Sequence, residues 1–228
     1  MAKPPARRSS SQEIQRFLQQ SKTIATFVER QPRLLFAIDA TASRQPTWNS
    51  AMHLQQEMFR ATHEIGPLAV QLVYFRGFLE FSASRWLTDA EQLALQMSQV
   101  HCEGGHTQIR RVLDHALAEH RETSIRAVVF IGDAVEESSD KLCELAGQCG
   151  ILKLPLFLFQ EGGIPEVERT FRSLAKLSGG AYARFDTQSA SALATLLGAV
   201  ARYAAGGIKA LQDSKSKSAK LLLQQLNR

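Results

Sequence analysis

The sequence predicts a three-layer α/β/α, doubly wound (Rossmann-like) fold: a mostly parallel six-stranded sheet with one antiparallel edge strand. Three observations predict it. Short apolar runs of strand length alternate with segments whose apolar residues recur at helical spacing, the pattern of βαβ units. Several runs show no in-and-out alternation, which marks strands covered on both faces. One pair of runs is separated only by Arg76-Gly77, a connection too short for a crossover, so those two strands pair antiparallel. At 228 residues, 44% hydrophobic and 21% charged, the chain suits one globular domain with tails. The expected boundaries are 1–32 for an N-terminal tail and amphipathic helix, 33–207 for the domain, and 208–228 for a basic linker and C-terminal helix.

Each element has its own signal. In SQEIQRFLQQSKTIATFVERQ, Ile14, Phe17, Leu18, Ile24, Phe27 and Val28 lie on one helical stripe that Pro32 ends. LLFAID is the first strand. PTWNSAMHLQQEMFRATHEIG follows as a helix with apolar Met52, Leu54, Met58 and Phe59, stopped at Gly66-Pro67. LAVQLVYF and FLEFSASRWL form the hairpin. Thr88 reads as an N-cap, with Glu91 completing a capping box for the helix in DAEQLALQMSQV. After the break HCEGGHT comes a helix, TQIRRVLDHALAEHRE, and then a strand, IRAVVFIGD, that ends like the first in a carboxylate. SSDKLCELAGQCG is helical, LPLFLFQEGG a strand, and VERTFRSLAKLSGG a helix. AYARF is a short strand, and SASALATLLGAVARYAAGG a last helix ending at its glycines.

Right-handed crossovers place the carboxyl ends of the parallel strands along one rim, where open α/β sheets bind ligands. Following chain direction, three loops converge there: Asp39-Ala-Thr-Ala-Ser43, Gly104-Gly-His-Thr107 and Gly132-Asp133. They carry two carboxylates and three hydroxyls. An oxygen-only set suits a hard divalent cation such as Mg2+ or Mn2+ better than zinc or copper. The alternation in D-x-T-x-S turns Asp39, Thr41 and Ser43 to one side, and Gly104 and Gly105 permit close approach of the second loop.

These loops resemble the metal-ion-dependent adhesion site (MIDAS) of the von Willebrand factor type A (vWA) domain family, with its D-x-S-x-S, a later Thr after glycines and a later Asp. The resemblance covers about residues 33–205. DATASRQPTW, VQLVYFRGF, GGHTQI and FIGDAVEE are similar to small, stand-alone, bacterial, cytoplasmic members of that family. It implies a metal-dependent protein-binding module, not an enzyme. The implied metal residues are Asp39, Thr41, Ser43, Thr107 and Asp133, holding Mg2+ (Mn2+ possible) that takes an Asp or Glu from a partner protein. Arg44, Gln45, Arg76, His106, Glu136 and Glu137 are expected at the partner-binding rim. Thr41 replaces the commoner serine and keeps the hydroxyl.

Rival readings are weaker on chemical grounds. A haloacid-dehalogenase-like phosphatase resembles D-x-D at the first strand, but the second carboxylate is Thr41 here, and threonine cannot supply a proton near neutral pH. No G-x-G-x-x-G or G-x-x-x-x-G-K follows the first strand, which disfavours a nucleotide-binding domain. His101, Cys102 and His106 lack the paired spacing of a structural zinc site. A structural or oligomerisation role with a vestigial metal site is a further alternative, because the leading helix and LLLQQL near the C-terminus have apolar faces. Self-docking and partner-docking of that last segment stay open. The net charge of +5 lies largely in KPPARR and KSKSAK, which reads as solvated ends and not a nucleic-acid footprint. Three cysteines, the lack of an apolar h-region after MAKPPARRSSS, and no window long enough for a membrane span give the expectation of a cytoplasmic protein with reduced thiols.

Overall fold

The computed structural model describes residues 15, 31–45, 60–61, 66–186 and 190–226. The chain divides into two compact units, Met1–Gln31 and Pro32–Arg228. Of the leading helix expected before Pro32 only Gln15 and Gln31 are described, and of the helix expected over 46–66 only Arg60, Ala61 and Gly66; the rest, with Trp48, lies outside the described residues.

Within the second unit the described elements run β1 (Arg33–Asp39), β2 (Ala69–Arg76), β3 (Glu80–Ala83), α1 (Ala90–Ser98), α2 (Ile109–Thr123), β4 (Ala127–Gly132), α3 (Ser139–Ile151), β5 (Leu156–Glu161), α4 (Pro165–Ser178), β6 (Ala181–Phe185), α5 (Ala190–Gln212) and α6 (Lys217–Leu226). The strands form one six-stranded sheet in the order β3-β2-β1-β4-β5-β6. Only the β2–β3 pair is antiparallel, with Val73 opposite Ala83 and Arg76 opposite Glu80. β1 is the topological switch: it pairs with β2 on one side and β4 on the other, Ile38 facing both Tyr74 and Ile131.

Alternate residues of β1 enter opposite cores, as the period-2 pleat requires. Leu34, Phe36 and Ile38 join Leu93 and Met97 of α1, Leu196 and Val200 of α5 and Leu222 of α6. Leu35 and Ala37 join Val112 and Leu113 of α2, Leu142 of α3 and Phe171 of α4. The three layers are therefore α1/α5/α6, the sheet, and α2/α3/α4. Phe36, Phe75, Phe130, Phe157, Phe159 and Phe171 are fully buried, each contributing roughly 2 kcal/mol by removal from water.

Four features correct or sharpen the sequence reading. The N-cap of α1 is Asp89, whose carboxylate accepts from Glu91 N at 2.6 Å, so the Thr88 capping box does not form. The shorter carboxylate one residue later reaches the first free N–H groups directly. Helix α5 breaks at Gly207 (φ +69°, ψ −161°), at the glycine pair where the sequence ends it, and a further helical stretch then runs on to Gln212 with Leu211 buried in the core. The C-terminal segment docks on its own domain: Ala219 and Leu222 of α6 are fully buried. Finally, Ser191–Gln212 is long and apolar enough to cross a membrane by length and composition, contrary to expectation. Eight of its residues, from Leu193 to Leu211, line the same core as β1, which accounts for the apolar run.

Candidate metal rim

The site begins with the way β1 ends. Asp39 is fully buried and its Oδ1 accepts a hydrogen bond from Thr41 N at 2.8 Å, an Asx-type turn that folds the chain back over the strand end. Ala40 N donates to Phe75 O, and Ala40 O accepts from Glu103 N, both at 3.0 Å. Thr41 also bridges Glu103 as an isolated parallel pair. These bonds stitch the first loop to the Glu103–Thr107 segment. Thr41 sits at the N-cap of a 3-10 turn, Ala42–Arg44, yet makes no side-chain cap bond. Its hydroxyl instead lies 3.4 Å from that of Ser43. The hydroxyls are therefore not consumed by capping.

The second loop is held by the hairpin. His106 N donates to Gly77 O at 3.2 Å, and Gly77 N to Glu103 O at 3.4 Å. A Cβ on Gly105 would lie 1.8 Å from Gly77 O, so only glycine lets the loops meet. Gly104 faces open space. At the end of β4, a Cβ on Gly132 would crowd the Phe130 ring of its own strand at 2.9 Å and lie at ordinary contact distance, 3.7 Å, from Asp39 Cβ. Asp39 and Gly132 are thus lateral neighbours, and Asp133 follows immediately.

Asp133 Oδ1 is buried and has no hydrogen-bond partner among the described residues. Burying an unpaired carboxylate oxygen costs several kcal/mol in general, and such atoms are rare outside functional sites. Thr107 is also buried, and it forms a reciprocal pair with Glu136: Thr107 N donates to Glu136 Oε2 at 2.8 Å and Glu136 N donates to Thr107 Oγ1 at 3.0 Å. One lone pair of Thr107 Oγ1 stays available beyond that bond.

The expected rim residues divide. His106 is exposed, with Nδ1 3.3 Å from Glu136 Oε2 and its ring edge-on to Phe78. Glu136 and Glu137 turn their carboxylates to the protein. Glu137 accepts from Ile109 N and Arg110 N, both at 2.8 Å. It thereby caps α2, whose own N-cap residue Gln108 makes no side-chain cap bond. Arg76 pairs with Glu80 at 2.8 Å and donates to His101 O, and the hydrogen bond to Glu80 raises its pKa further. Gln45 Oε1 accepts from Cys102 N at 3.3 Å. The side chain of Arg44 lies outside the described residues.

Sequence reasoning missed Phe78 and Leu79, 71% and 83% exposed at the hairpin tip beside His106. Their signal was two large apolar residues directly after a turn glycine, where polar residues are usual. It also missed that Glu136 would clamp Thr107. No group of three or more His, Cys, Asp or Glu residues suited to a metal exists among the described residues.

No protein-family model matches the sequence, and no curated protein does. Solved structures do match in fold. The vWF domain of the type V pili tip protein Mfa5 from Porphyromonas gingivalis superimposes with TM-score 0.60 at 9% identity, over 75% of this chain and 93% of that one. The SpRpn10 VWA domain gives 0.56 at 11%, over 69% and 89%. Proximal thread matrix protein 1 from the mussel byssus, with zinc-occupied MIDAS, gives 0.57 at 12%, and this chain spans 75% of itself but 46% of that protein. The strand order, the single antiparallel edge and these superpositions together show that the chain has a vWA-like fold.

Proposed function

We propose that the rim holds a divalent cation, Mg2+ with Mn2+ as an alternative, and through it the carboxylate of a partner protein. The observation that carries this reading is Asp133 Oδ1, buried and unpaired beside Asp39 at the switch point of the sheet. Asp39, Thr41, Ser43, Thr107 and Asp133 fit a hard cation by donor chemistry: all are oxygen, and only two carry charge. When bound, the cation supplies a Lewis-acidic position for an Asp or Glu from outside. Glu136 orients Thr107, the Asx turn at Asp39 orients Thr41, and Gly105 lets the Glu103–Thr107 segment close against the hairpin at Gly77. The zinc-occupied MIDAS of the byssus matrix protein supports a metal at this position of the fold.

The module is read as a cytoplasmic binder without catalytic activity. Thr41 stands where a phosphatase of the rival type needs its acid, and it has no titratable group. Affinity capture with the whole chain tests the function: in Mg2+ the wild type retains a specific interactor that EDTA releases and that Thr107→Ala does not retain. Retention by Thr107→Ala equal to wild type would rule out carboxylate capture at this rim.

A further inference from the structure

A second polar cleft opens at the opposite edge of the sheet, where β4 and β5 begin. It measures about 560 Å3, within the range of small-ligand pockets, and its lining includes His120, Ser124, Arg126, Lys153, Tyr203 and Gly206. Among the described residues no Asp or Glu lines it. Arg126 immediately precedes β4 and Asp133 immediately follows it, so the strand separates this cleft from the metal rim by roughly 20 Å. The two sites are independent.

We propose that this cleft binds a small phosphate-bearing anion. Arg126 and Lys153 are both exposed, and neither makes an ion pair among the described residues, unlike Arg76, Arg110, Arg169 and Arg172. A guanidinium fork and an ammonium facing one cavity without a carboxylate form the donor set that tetrahedral oxyanions favour. Neutral donors complete it. The Tyr203 hydroxyl makes no hydrogen bond among the described residues, and burial raises its pKa, with Arg126 opposing, so it stays a protonated donor. His120 Nδ1 lies 3.0 Å from Ile125 O and donates to it, which leaves Nε2 for a ligand.

The helix C-termini at this edge do not oppose the anion strongly, because their last carbonyls are already engaged. His120 O accepts from Ser124 N, Gln148 O from Leu152 N, Cys149 O from Leu154 N and Gly150 O from Lys153 N. What remains facing the cleft is mainly positive charge. Its polar lining and volume suit a hydrated anion of a few heavy atoms or the phosphate end of a larger metabolite.

Calorimetric titration of the whole chain with inorganic pyrophosphate, in EDTA so that the metal rim plays no part, tests the proposal. Citrate serves as a polycarboxylate of comparable charge. Saturable pyrophosphate binding is expected, tighter than citrate, and weakened about tenfold or more in Arg126→Ala/Lys153→Ala. The control Lys176→Ala/Lys220→Ala makes the same change in net charge elsewhere and should bind as wild type does. An unchanged thermal midpoint in both variants shows that folding is not the cause. Absence of saturable binding, or equal loss in the control, overturns the site; equal affinity for citrate overturns the phosphate assignment.

Discussion

At the β6 edge of the sheet, Gln225 of α6 lays its amide against the strand, accepting from Tyr182 N at 2.9 Å and donating to Tyr182 O at 2.8 Å. One side chain thus completes the hydrogen bonds that another strand would make, and Tyr182 Oη donates to buried Gln160 at 2.7 Å. At the β1–β4 rim Asp39, Thr41 and Thr107 are likewise buried, but the buried Asp133 Oδ1 has no hydrogen-bond partner among the described residues. Both regions are built from the same sheet by the same short loops. At Tyr182 and Gln160 the leftover polar atoms are paired within the chain. Where one is left unpaired next to a second carboxylate, the missing partner is expected from solution.

Disrupting the contact between rim loops has the largest expected effect. Gly105→Ala forces a methyl into Gly77 O and should cost about 2–4 kcal/mol, measured by urea denaturation, and it should remove metal binding as well. Breaking the β6 edge separates stability from binding. Gln225→Ala loses both bonds to Tyr182 and should cost about 1–2 kcal/mol while leaving metal affinity unchanged. If Gln225→Ala also abolished metal binding, the two regions would not be independent.

A smaller effect is expected from Glu137→Ala, which uncaps α2 at Ile109 and Arg110. The loss should be about 1 kcal/mol, read from the shift of the denaturation midpoint. Smaller still is the pH response of His115. Burial lowers its pKa below 6.5, with Glu119 opposing, and its Nε2 lies 2.9 Å from Gln71 Oε1. The unfolded chain therefore binds the proton more readily than the folded one. This contribution is complete above about pH 6.5 and falls away as pH drops toward the folded-state value. His115→Gln should flatten the stability profile between about pH 6.5 and 5; an unchanged slope would contradict this.

The sheet was legible because its strands are unbroken apolar runs, and the site because its carboxylates end two of those runs. LLFAID and AVVFIG announce both at once. Gly105 was legible as permission for close approach, though its partner, Gly77, was not. Long-range pairing stayed hidden: nothing near Glu136 or Glu137 indicates that they bind the backbone of a loop about 30 residues earlier. A local rule failed at Thr88, where Asp89 caps the helix instead. Gly206-Gly207 reads as a helix stop, and Gly207 does break α5; what the signal does not show is the further helical stretch beyond it that carries buried Leu211. The docking of α6 depends on an edge strand that its own sequence cannot indicate.

Cation-induced stabilisation tests the central claim most directly. Wild type and Asp133→Asn are melted in EDTA and then in saturating Mg2+ or Mn2+. The variant removes a buried unpaired charge, so its metal-free form should melt at or above the wild-type temperature. Saturating metal should raise the wild-type midpoint by several degrees, the shift expected when a ligand binds only the folded state, and leave Asp133→Asn unmoved. An equal rise in both proteins would contradict a metal held by Asp133.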